Sequence, residues 1–181
     1  MEELKTPLVI NLFAGPSTGK STSAAQIFSE LKWMGINCEM VTEFAKDKVW
    51  EESFKVLDDQ VYIFGKQVHR MRRLVGKVDI IITDSPILNS LVYDESGNDN
   101  FHNLILDVFN EFNNLNFFLR RTKKFQQAGR VQNEEKSKLL DNKVWNMLCD
   151  NKIPCDPVDA SKENIIKEVL PIINRVYSAN K

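Results

Sequence analysis

Ala14, four intervening residues, then Gly19, Lys20 and Ser21 set a small residue, a glycine, a cation and a hydroxyl at the spacing of a phosphate-binding loop, with Ala14 where the strict pattern has glycine. Each residue type has a task in that chemistry. Gly15 and Gly19 let the backbone turn tightly and approach an anion, so that successive N–H groups and a helix N-terminus converge on phosphates. Lys20 brings a cation to the β- and γ-phosphates, and the Ser21 hydroxyl is placed to ligate Mg²⁺. Gly15, Pro16, Ser17, Thr18, Gly19, Lys20, Ser21 and Thr22 together read as a cradle for ATP. The plainer alternative is a glycine-rich turn in which Ser21 caps a helix.

Further along, the apolar stretch Val78 to Thr83 ends in Asp84-Ser85-Pro86. A carboxylate at the end of a buried strand is what a Mg²⁺ shell requires beside the loop serine, so Ser21 and Asp84 are the metal candidates. Cys38 to Thr42 reads as a strand that delivers Glu43, Lys46 and Asp47 at its carboxyl end, where open α/β sheets bind ligands. Glu43 could equally cap the helix that follows it. Arg120 to Gln132 holds Arg120, Arg121, Lys123, Lys124 and Arg130 among polar residues and Gly129, the composition of a lid closing over phosphates. Arg130, beside the flexible Gly129, is its best catalytic candidate, against the bland reading of an exposed loop cation.

The elements that must carry these groups follow from periodicity. Leu8 to Phe13 is a continuous apolar run of the kind found in fully buried strands, and Ser21 to Met34 has helical spacing with Gly35 as its stop. Asp58 to Val75 is a second helical pattern whose later half is basic, Val78 to Thr83 a strand, and Asp94 to Asn100 a surface loop. A helix over Phe101 to Phe112, a strand over Leu115 to Leu119 and a helix from Asn133 to Leu148 come next. Ile153 to Val158, interrupted by Pro154, suits an edge strand; Ser161 caps a last helix that Pro171 should bend. Alternating β and α elements predict a parallel sheet of five strands with helices on both faces.

With 181 residues, 43% hydrophobic and 27% charged, the chain reads as one α/β domain with a single substantial core. The net charge of −1 speaks against a general nucleic-acid coat. Cys38, Cys149 and Cys155 lack metal-ligand spacing and suit a reducing compartment, and no apolar run is long enough for a membrane span, so a cytoplasmic protein is expected. His69 and His102 read as surface residues rather than ligands. Trp33, Trp50 and Trp145 read as core, with Trp50 alone kept as a stacking candidate for its nearness to Glu43.

The blocks AGPSTGKST at 14–22, VTEFAKD at 41–47, IIITDSP at 80–86 and FFLRRTKKFQQAGRVQNEE at 117–135 resemble the nucleoside and nucleotide kinase branch of P-loop proteins. Within it they are most similar to small kinase-like ATP-binding proteins of bacteriophages, and the lid block also resembles that of nicotinamide riboside kinases. The resemblance implies a three-layer P-loop kinase fold over 1–181, strand order 2-3-1-4-5, with a mobile lid at about 120–133. It implies transfer of the γ-phosphate of ATP to a nucleoside, a nucleoside monophosphate or a related small acceptor. Glu43 matches the base acting on the acceptor hydroxyl, and Trp50 the aromatic lining of the acceptor pocket. Gln67 and Arg70 resemble the pair that reads the base or acceptor phosphate, with Asp47 beside them as a further substrate-binding candidate. The chain departs from the deoxynucleoside kinases of this branch, which carry an acid-Arg-Ser motif after the third strand, where it has Asp84-Ser85-Pro86. Two other readings stay open: a regulatory nucleotide-binding NTPase without an acceptor, and a kinase for modified bases in DNA tracked by Arg70, Arg72 and Arg73. The near-neutral charge disfavours DNA, and homodimerisation is left open.

Overall fold

Every residue of Leu8–Phe13 is buried, as a strand covered on both faces requires, and this strand, β1, is the centre of the molecule. The computed structural model describes residues 5–122 and 134–179. In order, β1 is followed by α1 (Lys20–Trp33), β2 (Cys38–Val41), α2 (Phe44–Trp50), a 3₁₀ turn (Phe54–Asp58), α3 (Gln60–Arg72) and β3 (Ile80–Thr83). Then come α4 (Asn89–Tyr93), α5 (Asp99–Asn110), β4 (Asn113–Arg120), α6 (Glu134–Asp150), β5 (Asp156–Asp159), α7 (Lys162–Asn164), a π-helical turn (Ile165–Val169) and α8 (Leu170–Ala179). Among the described residues no helix is long and apolar enough to cross a membrane.

All five strands are parallel, in the order β2-β3-β1-β4-β5 that the resemblance implies. The chain leaves β1 toward β2, then reverses, and every later crossover steps the other way. Because such crossovers are right-handed, that reversal puts α1 on one face of the sheet and α3, α5 and α6 on the other. The two cores agree. Leu8, Ile10 and Leu12 belong with Ala24, Ile27 and Leu31 of α1 and with Ile165, Val169 and Ile173 of the C-terminal helices. Val9 and Phe13 belong with Phe64 and Met71 of α3, Ile105 of α5 and Leu148 of α6. Full burial of Phe13 and Phe117 contributes roughly 1.5–3 kcal/mol each before entropy is counted.

Several elements depart from the expectations of periodicity. Strand β5 begins at Asp156 rather than Ile153, because the Ile153 N–H donates to Leu148 O (2.9 Å) and closes the end of α6. It remains an edge strand, paired only with β4, and takes Pro157 opposite Phe118. The short α4 leaves no mark in the sequence, since five residues carry too little periodicity to read. Pro171 is accompanied by the π-helical turn, in which the Leu170 N–H reaches Ile165 O; a proline that cannot donate to the preceding turn leaves room for that wider register. Trp33 is not core but 86% exposed, because it points away from the Ala24, Ile27 and Leu31 stripe of α1. His102 does have a carboxylate partner, Asp94, at 2.9 Å.

Strand β4 also starts earlier than its apolar run, with asparagines that rarely favour strands. Tertiary contacts hold them there. The Asn11 side-chain amide, on a residue 1% exposed, donates to Asn114 Oδ1 and Asn116 Oδ1, both at 2.9 Å. Asn114 in turn donates to Phe109 O and Phe112 O, and Asn116 to Pro154 O. This ladder ties β1 and β4 to the loops beneath them. Asn11→Ala leaves the buried Asn116 acceptor and the half-buried Asn114 acceptor without this donor and should destabilise the fold by about 1–3 kcal/mol, seen as a lower urea midpoint with an unchanged slope.

Candidate functional site

The loop that leaves β1 coils through two left-handed residues, Ser17 (φ 62°) and Gly19 (φ 107°), which turn successive backbone N–H groups to one side. Helix α1 then starts with Gly19 at its N-cap and no side-chain cap, so Ser21 lies inside the first turn rather than closing it. Lys20 folds back over the loop, its Nζ donating to Ala14 O and Gly15 O at 2.9 Å each. Burial holds its pKa below the ordinary lysine value, while Glu43, Asp84 and Asp141 pull it upward. Thr18 is buried and donates to Gly15 O at 2.9 Å. Pro16, Ser17, Gly19, Lys20, Ser21 and Thr22 line a polar cavity of about 180 Å³.

The first half of the loop is pinned from α6. The Gly15 N–H donates to Asp141 Oδ1 at 2.6 Å, and a Cβ at Gly15 would sit 2.5 Å from Ser137 O, so only glycine fits. Arg121, just past β4, donates to Asp141 Oδ2 (2.9 Å), Ser137 Oγ (2.8 Å) and Pro16 O (3.0 Å). Ser137 itself donates to Pro16 O at 2.5 Å.

Asp84 stands where β3 ends, one strand over from the loop. It is only 3% exposed, and its Oδ1 has no hydrogen-bond partner among the described residues. A buried carboxylate oxygen left unpaired is costly unless something fills it. A carboxylate here and a hydroxyl at Ser21 are residue types that fit Mg²⁺, a cation bound by one or two carboxylates plus substrate phosphates and water. Among the described residues no group of three acidic, histidine or cysteine side chains forms a closed metal cage.

A second cavity of about 130 Å³ opens beside the first. Its floor is apolar, with Val49, Leu57, Ile63 and Ile87, and Gln60, Gln67, Ser85 and Ser90 supply polar groups. Glu43, Lys46, Asn89 and Tyr93 line both cavities and form the wall between them. Glu43 occupies the N-cap position of α2 but makes no cap hydrogen bond to that helix. Burial, reinforced by the charges of Glu43 and Asp141, pushes the Tyr93 phenol well above its usual range and keeps it protonated.

The structure therefore sets Lys20, Ser21, Glu43 and Gln67 on the linings of the two cavities, with Asp84 buried where its charge acts on Lys20, but distributes the other candidates differently. The Gln67 amide is already engaged, accepting from Phe44 N and donating to Ser85 O at 3.1 Å each, so it ties the two turns that bound the second cavity. Arg70 and Asp47 pair with each other, and Arg70 also donates to Thr42 O and packs on the Phe44 ring; neither lines either of these two cavities. Trp50 is 64% exposed and also outside. Arg130 and the expected lid from residue 123 to 133 lie outside the described residues; of its cations Arg120 pairs with Asp159 and Arg121 with Asp141. Arg72 pairs with Glu111, so two of the three cations of the DNA-tracking reading are already matched within the chain. Sequence reasoning missed Asn89, Tyr93, Ser137 and Asp141. Only the i, i+4 spacing of Asn89 and Tyr93 after Asp84-Ser85-Pro86 could have signalled two of them.

Asp141→Ala strands the Arg121 guanidinium and frees the Gly15 N–H. Loss of one partner from a fully buried pair costs about 3–5 kcal/mol, and Asp141 retains some solvent contact, so a loss of about 2 kcal/mol is expected from the denaturant midpoint. ATP affinity should fall with it, because the loop is no longer held.

The comparisons with known proteins come to the same fold. No curated protein matches the chain by sequence. Among solved structures it is similar to deoxyadenosine kinase from M. mycoides with bound dCTP (19% identity, 92% of this chain and 99% of that one, TM-score 0.58). It is also similar to the same kinase with bound dATP (19% identity, 92% and 99%, TM-score 0.55). With the products dCMP and a flexible dCDP bound, the figures are 16% identity, 94% and 99% coverage, and a TM-score of 0.54. These likenesses give the P-loop kinase fold. A family profile described as AAA domain matches residues 9–164, which span β1, the phosphate loop, Glu43, Asp84 and α6, and the chain belongs to that AAA domain family.

Proposed function

We propose that this chain, as one domain over 1–181, transfers the γ-phosphate of ATP to a nucleoside, a nucleoside monophosphate or a related small acceptor. The observation that carries the reading is the wall of Glu43, Lys46, Asn89 and Tyr93 shared by the phosphate cavity and a second, partly apolar cavity. A hydrolytic module needs a place for water beside its loop, whereas an acceptor needs a pocket, and pockets for small organic ligands are apolar with a few placed polar groups. The deoxyadenosine kinase from M. mycoides that shares the fold, with dATP or dCTP bound in its structures, supports a nucleoside-type acceptor.

In this reading the loop N–H groups and Lys20 hold the triphosphate, and Ser21 and Asp84 hold Mg²⁺. The metal, when bound, neutralises charge on the β- and γ-phosphate oxygens. Glu43 faces the acceptor side and takes the proton of the acceptor hydroxyl as its oxygen bonds to the γ-phosphorus and the bond to ADP breaks. The low polarity of the neighbouring cavity strengthens each of these charge interactions.

The direct test is an ATP-consumption screen against nucleosides, nucleoside monophosphates and DNA, with wild type and Lys20→Ala compared and products identified. A phosphorylated small acceptor, lost in Lys20→Ala, is the expected result. Consumption with no phosphorylated product would instead establish a nucleotide-hydrolysing module. With the acceptor in hand, Glu43→Gln should keep ATP affinity and lower transfer by roughly 10² to 10⁴, the range for losing a general base. If ATP affinity and thermal stability fall together, Glu43 serves the structure rather than the reaction.

A further inference from the structure

Glu43 and Lys46 are three residues apart at the start of α2, on one helix face, and both look into the cleft. Lys46 is half-buried there, lining the phosphate cavity and the second cavity alike. It makes no hydrogen bond, ion pair or ring contact among the described residues. Its neighbour shows the contrast: Lys48, on the same short helix, pairs with Glu51 and lies over the Phe44 ring at 5.3 Å. A cation in the first turn of a helix is also opposed by the backbone dipole. Lys46 thus has no bonded partner among the described residues and an unfavourable helix dipole, and what it does have is a place at the junction of two cavities, near Glu43.

The other cation of the cleft is differently placed. Lys20 lines only the phosphate cavity, and its Nζ is tied to the loop carbonyls of Ala14 and Gly15. A phosphoryl group crossing from one cavity to the other leaves the reach of the loop, and its equatorial oxygens then need a cation beyond it. We infer that Lys46 is a catalytic residue that neutralises the transferring phosphoryl group as it passes between the two cavities. The inference rests on the phosphoryl-transfer reading above. It assigns to α2 both the group that receives the acceptor proton and the group that stabilises the charge on phosphorus. Because Lys46 acts on the phosphoryl group rather than on the nucleophile, it serves equally when water is the acceptor.

That last point gives a test that needs no acceptor. Single-turnover hydrolysis of MgATP alone is followed in wild type, Lys46→Gln, Lys46→Arg and Lys20→Ala, with ATP affinity measured separately by a fluorescent analogue. The expected result is a fall of roughly 10² to 10³ in the hydrolysis rate of Lys46→Gln with ATP affinity nearly unchanged, and partial recovery in Lys46→Arg. Hydrolysis in Lys46→Gln equal to wild type, while Lys20→Ala is inactive, overturns the role of Lys46 and leaves the phosphoryl-transfer reading intact. A parallel loss of ATP affinity in Lys46→Gln also overturns it, making Lys46 a ground-state ligand. If Lys20→Ala hydrolyses ATP as wild type does, the reading falls and this inference with it.

Discussion

The handedness of the crossovers organises this molecule. Parallel strands joined by right-handed connections force helices to one face while the chain steps in one direction and to the other face once it reverses. Here the reversal happens once, around β1, between the step to β2 and all later steps. It leaves a crevice outside the carboxyl ends of β1 and β3, since the connections from these neighbouring strands depart to opposite faces. The phosphate loop issues from β1 and Asp84 from β3, so one topological constraint sets a cation-bearing loop beside a buried carboxylate.

Holding that loop is a separate problem, and a different part of the chain solves it. A backbone with a left-handed serine and a left-handed glycine is held in place by its surroundings rather than by local preference. Asp141 and Ser137 reach across from α6, and Arg121 joins them to Pro16. The close approach leaves no space for a side chain at Gly15. The loop therefore belongs structurally to α6 as much as to β1 and α1, and the stem of the segment after β4 is coupled to it through one guanidinium.

Charge in the cleft is close to balanced before any ligand arrives. Lys20, Lys46 and Glu43 line two small cavities with the buried Asp84 charge acting on Lys20, and burial already weakens the hold of Lys20 on its proton. Asp84 keeps an unpaired buried oxygen and Lys46 an unpaired ammonium among the described residues. Arrangements of this kind are unfavourable in isolation and are characteristic of sites built around an ion or a charged substrate. Away from the cleft several charges are matched in pairs, as in Arg72 with Glu111 and Arg120 with Asp159.

The sequence by itself determined the sheet and one half of the site. Buried strands such as β1 and β3 are continuous apolar runs, and the phosphate loop is a contiguous stretch whose residue types answer directly to phosphate chemistry, so both were legible without coordinates. The strand-end positions of Glu43 and Asp84 were legible for a related reason, since each follows directly on a stretch that reads as a strand. Tertiary structure alone decided the rest. The asparagines of β4 are disfavoured in a strand until Asn11 is seen to bond them, and the pairing of Asp47 with Arg70 is visible only once their helices are packed. The wall between the cavities is assembled from the turn after β2 and the short helix after β3, and the clamp on Gly15 comes from α6, far along the chain. Such groups carry no periodicity and no mutual spacing, because hydrogen bonds and ion pairs between distant segments are fixed by how the helices pack on the sheet rather than by the order of residues.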